Sequence, residues 1–105
     1  MAKKIEKEKV NEILKAAMRA PSGMNAQPWE FIVVDDKETL QKMKAFSMGT
    51  RALETAPMAV VVLDKEIEKR MEMGFEFLNP QELGACTENI LLQAFEEGLG
   101  AGWMG

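Results

Sequence analysis

The sequence predicts a single α/β or α+β domain that spans residues 1–105. Two observations predict this class. Segments with helical apolar periodicity alternate along the chain with short β-branched or aromatic runs, and prolines and glycines separate these segments. The resulting order is helix, strand, helix, strand, helix, helix and the start of a further strand, which is typical of helices packed on a small sheet.

The first periodic segment predicts a helix from about Glu6 to Arg19. Its apolar side chains recur at the i, i+3, i+4 and i+7 positions of one helical face, namely Val10, Ile13, Leu14 and Ala17. Pro21 disfavours helical geometry at Ala20, so the helix should end near that residue. Beyond a polar loop, the aromatic and β-branched run Trp29–Val34 predicts the first strand.

A second helix is predicted from about Asp36 to Phe46. Asp35 is expected to be its N-cap, with Glu38 three residues later completing a capping box. Glu38 and Lys42 are also spaced to form an i,i+4 ion pair. A helical turn is expected somewhere between Arg51 and Ala56.

The continuous apolar run Met58–Leu63 predicts a central strand that is buried on both faces. Asp64 is then expected to cap a third helix. The apolar stripe of that helix would comprise Ile67, Met71, Gly74, Phe75 and Leu78. The charged stretch 64–70 is interpreted as a solvated helix face on which Glu66 pairs with Arg70.

The last helix has clear start and stop signals in the sequence. Asn79 is expected to be its N-cap and Pro80 its first helical residue, while Gly98 is a natural C′ residue. Cys86 falls on its apolar stripe and is interpreted as a small buried hydrophobe. The segment Leu99–Gly105 would start another strand.

Composition and charge exclude several classes of function. A net charge of −4 argues against binding to a nucleic-acid backbone. The sequence has no histidine and no tyrosine, which excludes histidine-based triads, histidine-ligated metal sites and tyrosine acid catalysis, and we predict no metal site. One cysteine, the lack of an apolar signal segment at the N-terminus and the lack of a long apolar run favour a reduced, cytoplasmic setting without membrane attachment.

The loop Ser22–Gln27 is the most informative stretch for function. Its hydroxyl and amide side chains supply hydrogen-bond donors and acceptors without charge, which suits the imide edge and ribityl hydroxyls of a flavin. The alternative is a turn whose polar side chains bond only their own backbone. The glycine-rich segment Gly98–Gly102 follows a helix, so it is not a dinucleotide fingerprint. Its glycines either let the backbone approach a flat ligand or cap the helix before a packed strand.

Longer motifs make the sequence resemble the FMN-dependent nitroreductase family. The helix that ends in Ala20-Pro21-Ser22, followed by Asn25-Ala26-Gln27-Pro28-Trp29 and a strand, is similar to the family signature. The segments Ala56–Val62, Glu82–Ala94 and Gly98–Gly105 resemble the family's second strand, its central helix and the turn into the next strand. The resemblance covers nearly the whole chain.

This resemblance implies an α+β, nitroreductase-like fold, with helices around a small central sheet, and a homodimer that holds FMN at the subunit interface. By motif position, the cofactor-binding residues would be Pro21, Ser22, Met24, Asn25 and Gln27. Three residues that follow the glycine-rich turn would border the flavin ring, namely Trp103, Met104 and Gly105. No catalytic residue of the protein itself is implied.

The activity that the resemblance implies is passage of a hydride from NAD(P)H through FMN to nitroaromatic, quinone or flavin acceptors. Two alternatives remain open: a flavin- or ligand-binding module without turnover, and a degenerate homodimer with a structural role. The family's arginine-rich opening segment and its later basic phosphate contact have no match, so the resemblance implies a form shortened at both ends.

Overall fold

The sheet consists of two antiparallel strands in the part of the chain that the structure describes. The structure is a computed structural model, and it describes residues 4–45, 49, 51–65 and 67–104. The helices and strands in chain order are α1 (Lys7–Met18), β1 (Trp29–Val34), α2 (Lys37–Met43), β2 (Ala59–Asp64), α3 (Ile67–Met73) and α4 (Leu78–Glu96). Short 3₁₀ turns at Gly23–Asn25 and Arg51–Glu54 join them, and the second confirms the expected helical turn.

The core lies where α1 packs against α4 and the start of β1. Ala17, Ala20, Trp29 and Cys86 form one buried cluster, and the predicted apolar face of α1 is confirmed by the burial of Ile13 and Ala17. The Asn89 amide in α4 donates a 2.9 Å hydrogen bond to the Ala16 carbonyl of α1. These contacts hold α1, which leads into the polar loop, against α4.

Strand β1 has the predicted bounds, whereas the environment of β2 differs from the prediction. The two strands pair with Trp29 opposite Asp64 and Val34 opposite Ala59. Strand β2 is half-buried along most of its length, so the prediction of a strand buried on both faces was wrong. Its only strand neighbour among the described residues is β1, which leaves its other edge without a ladder partner.

Asp36, and not Asp35, caps α2. The Asp36 carboxylate accepts hydrogen bonds from the Thr39 N–H at 2.9 Å and from the Thr39 hydroxyl at 2.7 Å. Thr39 lies three residues after Asp36, where a cap side chain finds an unpaired helical N–H, so the predicted cap was wrong by one position. The predicted pair is present, with Lys42 Nζ 3.6 Å from Glu38 Oε1. The predicted end of this helix at Phe46 lies outside the described residues.

Helix α4 ends as predicted and starts differently. Gly98 has a φ of +80°, with its N–H bonded to the Phe95 carbonyl and the Leu99 N–H bonded to the Ala94 carbonyl. This pair of bonds is the Schellman arrangement that favours glycine. At the other end the helix begins at Leu78, so the predicted N-cap role of Asn79 was wrong. The Asn79 side chain is buried and bonds other side chains instead.

The orientation of α3 also corrects the sequence analysis. Ile67 and Met71, expected to be buried, are exposed, whereas Arg70 is 4% exposed. The expected partner Glu66 lies outside the described residues. Arg70 faces inward because the Glu82 carboxylate and the Asn79 carbonyl oxygen accept its hydrogen bonds there. The third helix therefore presents a charged side chain, and not an apolar stripe, to the protein interior.

The segment after α4 is irregular. Residues 99–104 form neither helix nor strand, so the predicted strand is not formed there, and Gly105 lies outside the described residues. An extended segment becomes part of a sheet only where it forms a hydrogen-bonded ladder with a strand, and the described ladder joins β1 and β2 alone. In the described part of the chain, no helix has the length and apolar character needed to cross a bilayer.

We expect Asp36→Ala to lower the melting temperature more than Asp35→Ala does at pH 7, because only Asp36 caps α2. The hydrogen bonds from the Thr39 hydroxyl and N–H lower the pKa of the Asp36 carboxyl. A lowered folded-state pKa stabilises the protein above the unfolded-state pKa, and this stabilisation is lost as the pH falls through the folded-state value. Thermal unfolding at pH 7 and about pH 2 should therefore show two variants that differ at neutral pH and converge in acid. Equal melting temperatures at pH 7 would contradict the assignment.

Candidate functional site

The loop between α1 and β1 has an unusual backbone. Met24 and Asn25 both have φ of +54°, and Gln27 has φ of +49°. The left-handed region costs an ordinary L-residue about 1–2 kcal/mol, although asparagine tolerates it better than most. Backbone strain of this kind persists only where surrounding contacts enforce it, and it is concentrated at functional sites.

Ser22 organises the loop from within. Its hydroxyl oxygen accepts a 3.0 Å hydrogen bond from the Gln27 N–H, and its carbonyl accepts a 3.0 Å bond from the Asn25 N–H. These bonds are the local side-chain and backbone contacts expected of a polar turn. Ser22 therefore has a structural role in the loop, in addition to the ligand contact that the resemblance implies for it.

The remaining polar side chains of the loop point outward. Asn25 and Gln27 are exposed, as are Pro21 and Met24. The backbone N–H groups of Asn25 and Gln27 bond to Ser22, but within the described residues their side-chain amides make no hydrogen bond. The donors and acceptors of these side chains are therefore available to a ligand. The strained turn thus displays two amide groups that its own folding does not use.

A buried ion pair lies beneath the loop. Arg70 in α3 and Glu82 in α4 are 4% and 5% exposed, and both nitrogens of the guanidinium fork bond the carboxylate, one of them at 3.1 Å. The Gly23 N–H also donates to Glu82 Oε2. The pair therefore connects two helices to the loop.

Asn79 extends this network to the sheet. Its carbonyl oxygen accepts a 3.0 Å bond from Arg70, and its amide nitrogen donates to the Asp64 carboxylate at the end of β2. The sequence analysis did not identify this network. One signal was available: Glu82 precedes Cys86 by one helical turn on the buried stripe of α4, and a carboxylate in that position requires a buried partner.

The second candidate surface is an apolar cleft of about 1020 Å³ along β2, α4 and the C-terminal segment. Ala59, Val60, Val61 and Val62 all line it. Successive residues of a strand point to opposite faces, so a cleft lined by all of them runs along the strand edge. Trp103 and Met104 also line the cleft, and Trp103 packs beside Gly84 of α4.

Four of the candidate cofactor-binding residues line one of two cavities, and the lining of neither cavity includes Met24, Asn25 or Gln27. Pro21 and Ser22 border a separate, smaller pocket of about 290 Å³, together with Gly23 and Glu82. Trp103 and Met104 belong to the apolar cleft. Neither of these two cavities contains both pairs, and Gly105 lies outside the described residues.

Cys86 does not belong to either surface. Its side chain is fully buried in the core, which confirms its interpretation as a small hydrophobe, and burial raises the pKa of its thiol to about 11. The thiolate is the reactive form of cysteine, so this residue is not a nucleophile at neutral pH. Among the described residues, no group of three or more cysteine, aspartate or glutamate side chains could hold a metal ion.

The protein is an α+β domain in which a two-stranded sheet and a long helix support a strained polar loop. The chain is similar to the nitroreductase family, whose model matches residues 1–51. A relative from Archaeoglobus fulgidus, provisionally named NADH dehydrogenase/NAD(P)H nitroreductase, is 43% identical over 105 residues. That match covers 98% of this chain and 58% of the relative.

Solved structures agree with this similarity. The structure of a protein from Clostridium acetobutylicum, provisionally named NADH oxidase, has a TM-score of 0.88 and 46% identity, over 100% of this chain and 61% of that one. A provisionally named nitroreductase from Desulfovibrio desulfuricans, solved in complex with FMN, has a TM-score of 0.84 and 33% identity, over 100% of this chain and 59% of that one. The chain thus spans about three-fifths of the length of these proteins.

We expect Arg70→Met to lower the free energy of unfolding by about 3–5 kcal/mol, because it leaves the Glu82 carboxylate buried without its partner. Lys69→Met is the matched control, since Lys69 is the exposed neighbour of Arg70 on α3. It should change the free energy by no more than about 0.5 kcal/mol. Urea unfolding followed by circular dichroism measures both values. Equal losses in the two variants would show that the buried pair does not stabilise the fold.

Proposed function

We propose that this protein is an FMN-dependent oxidoreductase that passes a hydride from NAD(P)H to nitroaromatic, quinone or flavin acceptors. The observation that carries the proposal is the strained loop Ser22–Gln27, which displays the Asn25 and Gln27 amides without using them for folding. This loop lies inside the segment that matches the nitroreductase family.

The chemistry of the loop fits a flavin. The ring of FMN presents carbonyl oxygens and an N–H along one edge, and an amide side chain offers both a donor and an acceptor to such an edge. Asn25 and Gln27 would bind that edge or the ribityl hydroxyls, while the hydroxyl of Ser22 holds the loop in shape. When bound, FMN supplies the hydride chemistry, and the residues of the chain bind and orient it.

The absence of histidine and tyrosine from the sequence is compatible with this division of roles. The proposed reaction needs the ring to be held against its hydride donor and acceptor, and it needs no histidine or tyrosine as acid or base. The proposal assigns the protein to the cytoplasm, where reducing conditions keep thiols such as that of Cys86 free.

The proposal includes a homodimer. The polar loop and the apolar cleft form separate surfaces of one chain, and a second copy could place the loop of one subunit beside the cleft of the other. Leu92 and Phe95 on α4 are 63% and 82% exposed, which supports a partner against this helix. Large apolar side chains exposed together favour a protein interface.

We expect Asn25→Gly to weaken FMN binding by about tenfold or more, the loss expected when a ligand edge loses a hydrogen-bonding partner. Glycine removes the amide and still permits the positive φ of this position, so the loop should keep its shape. Asn11→Ala on the exposed face of α1 removes an equivalent amide away from the loop and should leave the affinity unchanged. Fluorescence titration with FMN measures the affinities.

Unchanged FMN affinity in the Asn25→Gly variant would contradict the site assignment. Oxidation of NADH or NADPH by the FMN-loaded protein, with a nitroaromatic or a quinone as acceptor, separates an enzyme from a flavin-binding module. Flavin binding without any NAD(P)H-dependent reduction would leave a binding module and exclude the proposed turnover.

We expect sedimentation velocity at micromolar concentration to show a dimer, and Phe95→Glu to shift it toward monomer. The substitution places a charge where an apolar side chain would meet the partner, and burial of an unpaired charge is costly. Circular dichroism should show that the variant remains folded, since Phe95 is exposed in the single chain. A wild-type protein that sediments only as a monomer would contradict the dimer proposal.

A further inference from the structure

The contacts that connect the flavin-contact loop, residues 22–27, to the rest of the molecule converge on one residue, Gly23. Among the described hydrogen bonds of this loop, those of Ser22 stay within it and would move with it. Gly23 accepts one bond from within the loop, from the Ala26 N–H at 3.1 Å, and two of its contacts leave the loop. Its N–H donates to Glu82, and its carbonyl accepts a 3.4 Å contact from Arg70 Nη2. The buried ion pair therefore holds the peptide groups on both sides of Gly23.

The lack of a side chain at Gly23 leaves room for this contact. A Cβ atom built on Gly23 would lie 2.7 Å from Leu78 Cδ1 and 3.2 Å from Glu82 Oε2. A larger residue would therefore displace the Leu78 side chain and crowd the Glu82 carboxylate, whereas glycine leaves this space free. Met24, the next residue, is the first of the left-handed residues, so the anchor lies directly before the strained stretch.

We infer that Glu82, held in place by Arg70, is a positioning residue that fixes the flavin-contact loop in its left-handed conformation. This inference rests on the proposed function for its consequence, which is the orientation of the Asn25 and Gln27 amides. The loop side chains at positions 24–27 are exposed and bury nothing that would hold this backbone. The local bonds of Ser22 shape the turn from within, and the charged acceptor beneath Gly23 anchors that turn to α4. Hydrogen bonds to ionised groups are stronger than neutral ones, so this anchor is a strong one.

The first test needs no flavin. Glu82→Gln keeps the size of the side chain and removes its charge, and Glu88→Gln makes the same change at an exposed position of the same helix. Two-dimensional ¹H–¹⁵N NMR spectra should show the backbone amide signals of Met24, Asn25 and Gln27 displaced in Glu82→Gln and unchanged in Glu88→Gln. Loop signals that stay at their wild-type positions in Glu82→Gln would overturn the inference, whether or not the protein binds FMN.

The second test asks whether the effect reaches the ligand. At a temperature where circular dichroism shows every variant fully folded, Glu82→Gln should weaken FMN binding about tenfold. A purely structural role would lower the melting temperature and leave this affinity unchanged. Because Glu82 is argued to act through Asn25, combining Glu82→Gln with Asn25→Gly should weaken binding by less than the product of the two single effects. Independent, multiplicative effects would overturn the inference.

A further variant covers the case in which Glu82→Gln does not fold. Arg70→Lys keeps the positive charge beside Glu82 and loses the fork that bonds both carboxylate oxygens. Arg70→Lys should displace the same backbone amide signals of the loop, by less than Glu82→Gln would if that variant folds. If the wild-type protein binds no FMN, the proposed function fails, and the NMR comparison of Glu82→Gln or Arg70→Lys with Glu88→Gln still decides the positioning role.

Discussion

The ion pair between Arg70 and Glu82 is the contact on which the rest of the structure depends. Both side chains are almost inaccessible to water, and either one left unpaired in the interior would be strongly destabilising. This requirement turns α3 so that Arg70 faces inward and Met71 faces solvent. It also gives Asn79 a partner, and it ties the backbone of Gly23 to helices that lie far from it in the sequence.

Polarity divides the molecule into two regions. The loop before β1 displays uncharged polar groups above a buried charged network, whereas the cleft along β2 has no charged lining residue among those described. FMN itself has a polar edge and an apolar ring face, so each region is suited to a different part of such a ligand. Their separation in one chain is the structural reason for proposing that two copies complete the site.

The predictable parts of the fold are those determined by short-range signals. The apolar face of α1, the bounds of β1 and the Schellman end at Gly98 follow from spacing and from residue types within a few positions. The same holds for the Ser22–Gln27 loop, which proline, glycine and polar side chains mark as a turn. The cap of α2 was misplaced because Asp35 and Asp36 carry the same signal, and the position of Thr39 decides between them.

The parts that the sequence analysis missed depend on pairing across the chain. Arg70 and Glu82 are separated by a whole turn region, and local periodicity assigns Arg70 to a solvated face. Asn79 has the sequence features of an N-cap, but its amide satisfies Arg70 and Asp64. Positive φ at Met24 has no local signal, because methionine does not favour that conformation.

The burial of Cys86 has a practical consequence. It is the only cysteine in the sequence, and it lies where α1, α4 and the start of β1 meet. An alkylating reagent attacks the thiolate, which forms readily only when water reaches the sulphur. The rate of alkylation would therefore measure how often α1 and α4 separate and expose Cys86. Mass spectrometry of the alkylated protein would follow this opening at the single native cysteine, without an engineered labelling site.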